Sequence, residues 1–494
     1  MNFDESGVNR GADSIKRYAL AHRNLVEMLR TAADRRPGAE AAVETGGGPR
    51  LSYADLWDQA AGVAGGLRAN GVSKGDRVAI RLGNGTDWVL AFWGIQLAGA
   101  VAVPVNTRFT DAEADYVISD AGATFVFTPG TQLPHGSPVT EADQEPGDLA
   151  AIFYTSGTTG FPKGAMTTHE NFLSNAETCK RVLNLPEGMR TLISVPLFHV
   201  TGCNSQLLAA AYMGGTAVIM PAFEVGAFLA AIPGEQIDTM VTVPAIYWLA
   251  INQPAFGQID ISSVRSVSYG GAPIAPDLVR RLGEAFPAAR LGNGFGLTET
   301  SSVTTFLPHE FVAHADSVGF PAPVCDVRVR EPGPDGVGEL LVRGQNVVAG
   351  YWNKPEATAQ AFAGGWLCTG DLARIDDQGL VYLVDRLKDM INRGGENVYC
   401  VEVENALAGA PGVYEAAVVG VPDEMMGEKV GAVLVPSPGG SLDISAVLGY
   451  LRGRLADFKI PQYVAISAVP LPRNPGGKLL KGRLRAEAEF KAVS

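Results

Sequence analysis

Positive charge is scarce in this sequence. Its 494 residues include 39 lysines and arginines against 52 aspartates and glutamates, which gives a formal net charge of −13. Nucleic acid is bound by a basic face, because contacts to the phosphate backbone supply much of the affinity. The shortage of positive charge therefore argues against a general nucleic-acid-binding protein.

Cysteine is also rare and has no pattern. The five cysteines, an odd number, are scattered and show no C-x-x-C spacing: Cys179, Cys203, Cys325, Cys368 and Cys400. Neither a disulfide framework nor a zinc site is predicted. The N-terminus lacks the basic and then apolar order of a signal peptide, so we expect a cytoplasmic protein.

Uninterrupted apolar runs are missing as well. The longest, Trp88 to Val105, is broken by Gly94, Gln96, Gly99 and Pro104. It predicts a buried helix that ends near Gly99 and a following strand, and we expect no transmembrane segment.

The length of the chain predicts two or more domains, since one ordinary core does not grow to this size. Helical and strand patterns alternate from Asn24 to Phe127, which predicts α/β layering. Short strands separated by turns begin beyond Gly319 and predict a small β-rich subdomain. A new α+β pattern starts at Asp385.

One hydroxyl-rich and glycine-rich stretch stands out. It reads Tyr154-Thr155-Ser156-Gly157-Thr158-Thr159-Gly160-Phe161-Pro162-Lys163-Gly164, behind an apolar strand. Glycines let the backbone approach a ligand, hydroxyls and N–H groups donate to phosphate oxygens, and Lys163 adds a charge. Pro162 stands where the Walker pattern needs its second glycine. The stretch predicts a polyphosphate cradle outside the P-loop class, with a Ser/Thr/Gly-rich surface loop as the alternative.

A second candidate segment runs from Leu291 to Thr300. Its glycines do not form G-x-G-x-x-G, which disfavours a dinucleotide fold. Phe295 is suited to stack on a base, Thr298 to donate to phosphate and Glu299 to hold a hard divalent cation. The alternative is a turn with a solvated glutamate. Another strand, from Ser266, ends in Gly270-Gly271, where backbone can lie against a planar ligand.

Three single residues are further candidates. His199 is predicted at the end of a strand spanning Thr191 to Gly202, where either a structural role or a ligand contact fits. The carboxylate of Asp371, in Thr369-Gly370-Asp371, could accept both hydroxyls of a ribose. Lys478 lies on a Pro/Gly-rich loop, and a solvated tail charge is its alternative.

Taken in order, these segments resemble the adenylate-forming superfamily of acyl-CoA synthetases, luciferases and nonribosomal adenylation domains. The likeness extends from about Leu25 to Arg485. It implies an α/β fold with a large N-terminal domain, residues 1–387, of αβαβα-like subdomains and a β-barrel-like part. A small mobile α+β domain, residues 388–494, would follow a hinge at Lys388, where the family carries Asp or Lys.

The resemblance also implies roles for individual residues. It implies contacts to the pyrophosphate end of ATP for Thr155, Ser156, Gly157, Thr158, Thr159, Gly160 and Lys163. It implies adenine and acyl pockets lined by Gly271, Ala272, Pro273, Asn293, Gly294 and Phe295. Asp371 and Arg386 would bind the ribose, and Gly394 and Gly395 resemble the hairpin of stand-alone CoA ligases. Among catalytic groups it implies Glu299 on Mg²⁺, Thr298 near the α-phosphate, His199 as an aromatic gate and Lys478 bridging carboxylate and α-phosphate. Phe295 departs from the family, which usually has tyrosine there.

The implied function is that of an ATP-dependent acyl-CoA synthetase. It would form an acyl-adenylate and pyrophosphate, then an acyl-CoA thioester and AMP, with ATP, Mg²⁺ and coenzyme A. The predicted pocket is small or apolar and suggests a fatty or aromatic acid. Ser268 to Gly271 offers no carboxylate for an amino group, which disfavours amino acids. A homodimer is expected from its frequency alone.

Three alternatives stay open: an enzyme that loads a carrier protein, an oxygenase of luciferase type and an inactive nucleotide-binding regulator. We expect no carrier domain after Lys478, and the Arg393 to Asn397 hairpin favours CoA. The presence of both Glu299 and Lys478 argues against the regulator.

Overall fold

The computed structural model describes residues 3–141, 143–155, 161–473 and 479–493. By its internal contacts the chain divides into two compact units. The first comprises Met1–Arg328, Leu341–Cys368 and Asp377–Val381; the second comprises Val329–Leu340, Thr369–Asp376 and Tyr382–Ser494.

Helices and strands alternate along most of the chain. The elements up to residue 155 are β1 Val8–Arg10, β2 Lys16–Tyr18, α1 Leu25–Arg35, β3 Glu40–Glu44, β4 Arg50–Ser52, α2 Tyr53–Ala69, β5 Arg77–Ile80, α3 Thr86–Ala98, β6 Val101–Pro104, α4 Asp111–Ala121, β7 Ala123–Phe127 and β8 Leu149–Thr155. Those up to residue 295 are β9 Lys163–Thr168, α5 His169–Val182, β10 Arg190–Ile193, α6 Val200–Gly202, a π-helix Cys203–Leu208, α7 Ala209–Tyr212, β11 Thr216–Ile219, α8 Val225–Gly234, β12 Thr239–Thr242, α9 Pro244–Ile251, β13 Ser266–Gly270, α10 Pro276–Ala285 and β14 Arg290–Phe295.

Short strands dominate after residue 300. The elements from residue 305 to residue 386 are β15 Thr305–Leu307, β16 Phe320–Pro321, β17 Cys325–Arg330, β18 Gly338–Gly344, α11 Pro355–Ala361, β19 Phe362–Ala363, β20 Trp366–Ile375 and β21 Val381–Arg386. The last elements are β22 Ile391–Arg393, β23 Glu396–Val398, α12 Cys400–Ala408, β24 Val413–Asp423, β25 Gly427–Pro436, α13 Ile444–Arg452, β26 Tyr463–Ile466, α14 Lys481–Glu487 and β27 Lys491–Ala492.

Two mixed sheets organise the first unit. The larger has the order β16-β15-β14-β13-β12-β10-β11-β3-β4, and the smaller has the order β7-β5-β6-β8-β9. The six strands from β14 to β3 in the larger sheet are parallel, and antiparallel strands close both edges. This α/β layering is the class that the alternating pattern predicts.

Helix α3 shows how the longest apolar run folds. Every residue of α3 except Asp87 is buried, as expected of a helix that is apolar on all sides. Gly99 ends the helix in the left-handed region at φ 75°, and β6 follows at Val101. The predicted helix and strand are therefore confirmed. Among the described residues, no helix combines the length and the apolar character needed to cross a membrane.

The strand predicted from Thr191 to Gly202 is much shorter in the structure. Strand β10 ends at Ile193, and α6 begins at Val200. The intervening backbone leaves the ladder: Pro196 has no N–H to donate, and the N–H of Leu197 donates to Asn84 Oδ1 at 2.8 Å. The apolar composition of this stretch reflects burial in a loop and helix start, and a strand prediction beyond Ile193 was wrong.

A six-stranded sheet forms the centre of the second unit. Its order is β23-β22-β25-β26-β27, with β24 also paired to β25, and buried side chains of α12 and α13 pack with it. The predicted glycine hairpin is confirmed, because β22 and β23 pair on either side of Gly394 and Gly395, at φ 61° and 94°. Another sheet, β17-β18-β20-β19 with β21 paired to β20, accounts for the predicted β-rich segment.

Candidate active site

Several predicted pocket residues meet at one edge of the larger sheet. Strands β10, β12, β13 and β14 are parallel neighbours. The segments after β10, β12 and β13 carry His199, Val243 and Gly271, and Phe295 is the last residue of β14. Ligands of α/β sheets bind at such edges. Gly271 has φ 73°, and a side chain there would approach Val243 at 3.8 Å. The sheet thus brings the predicted acyl and adenine positions together.

The individual residues at this edge differ in exposure. Gly271, Ala272 and Pro273 are exposed, whereas Gly294, Phe295, Thr298 and His199 are half-buried. Asn293 is buried and donates its side-chain amide to the carbonyl of Ser317 at 3.1 Å, so it fixes the loop beside β14. The His199 ring lies 4.9 Å from that of Phe198.

The base of the predicted cradle is an antiparallel strand pair. Thr155 ends β8 and lies opposite Lys163 at the start of β9, and its hydroxyl donates to the Lys163 carbonyl at 3.4 Å. Ser156, Gly157, Thr158, Thr159 and Gly160 lie outside the described residues.

Tyr351 connects this strand pair to Glu299. Residues 350–352 add to the side of β9: Met166 N–H donates to the Gly350 carbonyl at 3.0 Å, and Trp352 N–H donates to that of Gly164 at 2.8 Å. The Tyr351 hydroxyl donates to Glu299 Oε1 at 2.7 Å, and Lys163 Nζ lies 5.3 Å from the centre of the Tyr351 ring. One tyrosine therefore separates the predicted phosphate-binding cation from the predicted metal-binding carboxylate.

The protonation of Tyr351 follows from its surroundings. Burial and the Glu299 carboxylate both raise the pKa of the Tyr351 phenol well above its usual value of 10. The phenol therefore stays protonated at neutral pH and remains a hydrogen-bond donor to Glu299.

The main chain also fixes the Glu299 turn. Thr298, Glu299 and Thr300 form one 3-10 turn, and the carbonyl of Glu299 accepts from the N–H of Val348 at 2.9 Å. Gly296, just before the turn, packs against the carbonyl of Ser302, which a Cβ atom would approach at 1.3 Å. Only glycine fits here, so this glycine serves the shape of the loop.

The residues around Glu299 are compatible with a magnesium ion that arrives with a nucleotide. Across the part of the chain that the structure describes, no group of three or more His, Cys, Asp or Glu side chains could hold a metal by itself. Mg²⁺ keeps several waters and is usually bound by one or two carboxylates together with substrate phosphates. Glu299, which Tyr351 joins to the cradle strands, is a carboxylate of the kind that such a site would use.

The remaining predicted residues belong to the second unit. Arg386 Nε forms an ion pair with Asp371 Oδ1 at 2.7 Å, and the Asp371 side chain is buried. The Gly394 N–H donates to the Met426 carbonyl at 2.8 Å, which ties the β22–β23 hairpin to the turn before β25. Lys388 is exposed. Lys478 lies outside the described residues, which resume at Leu479, bridged to Arg473.

Reasoning from the sequence did not find Tyr351. It lies in Gly350-Tyr351-Trp352, a segment with no hydrophobic period and no cluster of reactive groups, 52 positions from Glu299. Only the pairing of this segment with β9 brings the two residues together.

Comparison with known proteins identifies the family of this chain. Residues 29–144 and 129–352 match the AMP-binding enzyme family, and residues 402–478 match the AMP-binding enzyme C-terminal domain. The chain is 39% identical over 469 residues to a feruloyl-CoA synthase from Amycolatopsis sp., covering 89% of this chain and 94% of that protein. It is 35% identical over 502 residues to the long-chain-fatty-acid–CoA ligase FadD13 of Mycobacterium tuberculosis, covering 94% and 98%.

Solved structures show the same likeness. The crystal structure of ATP-bound MatB from Rhodopseudomonas palustris superposes with a TM-score of 0.85 at 31% identity, covering 94% of this chain and 98% of that one. The chain belongs to the AMP-binding enzyme family. It is an AMP-forming acid–CoA ligase that takes ATP, coenzyme A and a small-molecule carboxylic acid as substrates.

Proposed function

We propose that Glu299 holds the Mg²⁺ that accompanies ATP and that Lys163 binds the phosphate end of the nucleotide. The carrying observation is the contact of Tyr351 with both residues, a hydrogen bond to Glu299 at 2.7 Å and the Lys163 ammonium 5.3 Å from its ring. The hydroxyls and glycines from Thr155 to Gly160 would complete the cradle. When bound, Mg²⁺ would supply positive charge beside the reacting phosphates.

Formation of the acyl-adenylate requires no proton transfer to or from the protein. A carboxylic acid substrate is already ionised at pH 7, so its attack on the α-phosphorus needs no general base. What the reaction needs is relief of repulsion between two anions and correct placement. We assign the first task to Glu299, through its metal, and to Lys478, and the second to Thr298 and His199.

The second step would use a different presentation of the small domain. We propose domains at 1–387 and 388–494 with a hinge at Lys388, so that Lys478 serves adenylation and the Gly394-Gly395 hairpin serves thioester formation. A hinge that presents each in turn separates the two half-reactions. Asp371 and Arg386, whose side chains are ion-paired at 2.7 Å, would bind the ribose.

The acid substrate is proposed to have an uncharged fatty or aromatic tail. The residues at the carboxyl ends of β12 and β13, including Val243, Gly271, Ala272 and Pro273, are small or apolar and offer no charge to a tail. Relatives named for a feruloyl and for a long-chain acyl substrate support both options.

A panel of acids tests this function. The protein is incubated with ATP, Mg²⁺, CoA and one acid at a time, and products are scored by pyrophosphate release and by thioester mass. We expect thioesters with aliphatic or aromatic acids and none with amino acids or dicarboxylates. Pyrophosphate release without any thioester would contradict the CoA ligase assignment, and a preference for charged acids would contradict the proposed pocket.

Two further proposals concern the state of the protein. A cytoplasmic location is supported by five cysteines that form no disulfide. A homodimer is proposed because two-fold dimers are the commonest oligomers. Light scattering on the purified protein tests the second proposal.

A further inference from the structure

The backbone two and three residues after Glu299 is strained. Ser301 and Ser302 have φ values of 55° and 116°, in the region that favours glycine. Such conformations persist only where the surrounding structure fixes them, and they concentrate at functional sites. The contacts that hold this loop therefore bear on where the Glu299 carboxylate lies.

The two strained serines are held by the π-helix Cys203–Leu208. Asn204 Nδ2 donates to the Ser301 carbonyl at 2.9 Å, and the hydroxyls of Ser205 and Ser302 share a hydrogen bond at 2.7 Å. All four residues are buried. π-helical turns are rare and occur frequently at functional sites.

The two ends of the loop, Thr300 and Val303, are held by residues outside the π-helix. Asn346 Nδ2 donates to the carbonyls of Thr300 and Val303 at 3.1 and 2.9 Å, and Asn175 Oδ1 accepts from the Val303 N–H at 3.0 Å. The ends are thus fixed from the β18–α11 connection and from α5, and the strained middle from the π-helix.

The π-helix also borders the other side of the site. It begins at Cys203, whose N–H donates to the carbonyl of His199 at 2.9 Å. One short element therefore contacts the segment of the predicted acyl gate and the loop that carries the predicted metal-binding carboxylate.

We propose that Asn204 and Ser205 are positioning residues that fix Glu299 for Mg²⁺ through Ser301 and Ser302. The proposal rests on the metal-binding role proposed for Glu299. It predicts that loosening the serine pair weakens the response to Mg²⁺ more than it weakens the fold, because Ser302 lies three residues after Glu299 in the same loop.

The test uses Ser205→Ala, Ser302→Ala and the double variant, with pyrophosphate release measured against Mg²⁺ concentration at saturating ATP and acid. Loss of one buried hydrogen bond should raise the half-saturating Mg²⁺ concentration about three- to tenfold. The double variant should match either single variant, since both changes break the same bond. Thr191→Val is the matched control: it removes the 3.2 Å bond from Thr191 to Gln206 in the same π-helix, a bond that includes no residue of the serine loop. Its half-saturating Mg²⁺ concentration should equal that of the wild type.

Each outcome decides between the claims. Equal Mg²⁺ requirements in Ser205→Ala and Thr191→Val, after thermal unfolding shows both to be folded, would overturn the positioning role. So would effects of the two serine variants that add in the double variant. The variant Glu299→Gln distinguishes a failure of the metal-binding role from a failure of the positioning role. If that variant keeps the wild-type Mg²⁺ response, Glu299 does not bind the metal, and the positioning role of Asn204 and Ser205 is contradicted as well.

Discussion

Tyr351→Phe is the most direct perturbation of the candidate site. It removes only the hydroxyl that donates to Glu299 Oε1 at 2.7 Å. The ring remains, and with it the edge contact to Phe362 at 5.8 Å and the position over which Lys163 lies. The change therefore isolates one hydrogen bond to a carboxylate.

The size of the effect follows from the charge and exposure of the pair. A hydrogen bond to a charged group contributes about 1.5–3 kcal/mol. Because Glu299 is half-buried, water can partly replace the hydroxyl, and we take the lower end, which corresponds to about tenfold. We expect adenylation at limiting Mg²⁺ to fall about tenfold and to recover as Mg²⁺ is raised, since the metal itself orients the carboxylate.

The matched control is Tyr212→Phe. Its hydroxyl donates to Glu177 Oε2, also at 2.7 Å, on α7 and α5. Both variants lose a tyrosine–glutamate bond, and only one lies beside the cradle. Pyrophosphate release across a Mg²⁺ titration is the assay. If the two variants respond alike to Mg²⁺, the bond to Tyr351 stabilises the fold only, and the reasoning is refuted. Because the pKa of Tyr351 is raised above 10, we expect the phenol of the wild type to stay protonated and the bond to Glu299 to persist up to about pH 10. The bond should be lost only as the pH rises through the raised pKa of the folded state.

The other predictions concern charges at the site and one buried histidine. Glu299→Gln should largely abolish Mg²⁺-dependent adenylation while the melting temperature stays near that of the wild type; full activity at ordinary Mg²⁺ would contradict it. Lys478→Ala should slow acyl-adenylate formation by roughly 10²- to 10³-fold and leave thioester formation from pre-made acyl-adenylate near the wild-type rate, whereas equal losses in both half-reactions would make the lysine structural. Lys388→Pro should show the opposite preference, sparing adenylation more than thioester formation, as separate assays of the two steps would reveal. Burial lowers the pKa of His169 to about 4, so stability should fall as pH drops from about 6.5 towards 4, by about 2 kcal/mol between pH 7 and pH 5. Urea unfolding at the two pH values measures this, and His169→Asn should remove that part of the slope.

Local patterns predicted those parts of the fold whose cause is local. The helix that ends at Gly99 and the hairpin at Gly394-Gly395 both depend on glycines that adopt positive φ, which a sequence displays directly. The stretch from Thr191 to Gly202 misled the prediction because burial, and not strand pairing, accounts for its apolar residues. Asn84, more than a hundred positions away, takes the hydrogen bond that a strand would need.

In the candidate site, too, the sequence predicted what depends on local motifs and missed what depends on distant parts of the chain. Lys163 and Glu299 are candidates because of their motifs, a lysine after a Gly/Thr run and a carboxylate after an aromatic and a threonine, and their roles stay predictions. Their relation to each other does not follow, because it depends on residues 350–352 joining the side of β9. The positive φ values of Ser301 and Ser302 could not be predicted from the sequence either, since serine gives no local signal of positive φ.

A neutral tyrosine between Lys163 and Glu299 has a consequence for how the site meets its ligand. Among the ion pairs of the described residues, none joins Lys163 to Glu299, although both contact Tyr351. A direct ion pair would neutralise both charges, and a nucleotide with its metal would have to break that pair in order to bind. Because Tyr351 donates to the carboxylate and its ring lies beside the ammonium, each charged group is oriented without being neutralised by the other, and in the roles proposed above each would then be available to a ligand. Preorganised charges of this kind need little rearrangement when phosphates arrive, and this is the condition under which they stabilise a transition state most.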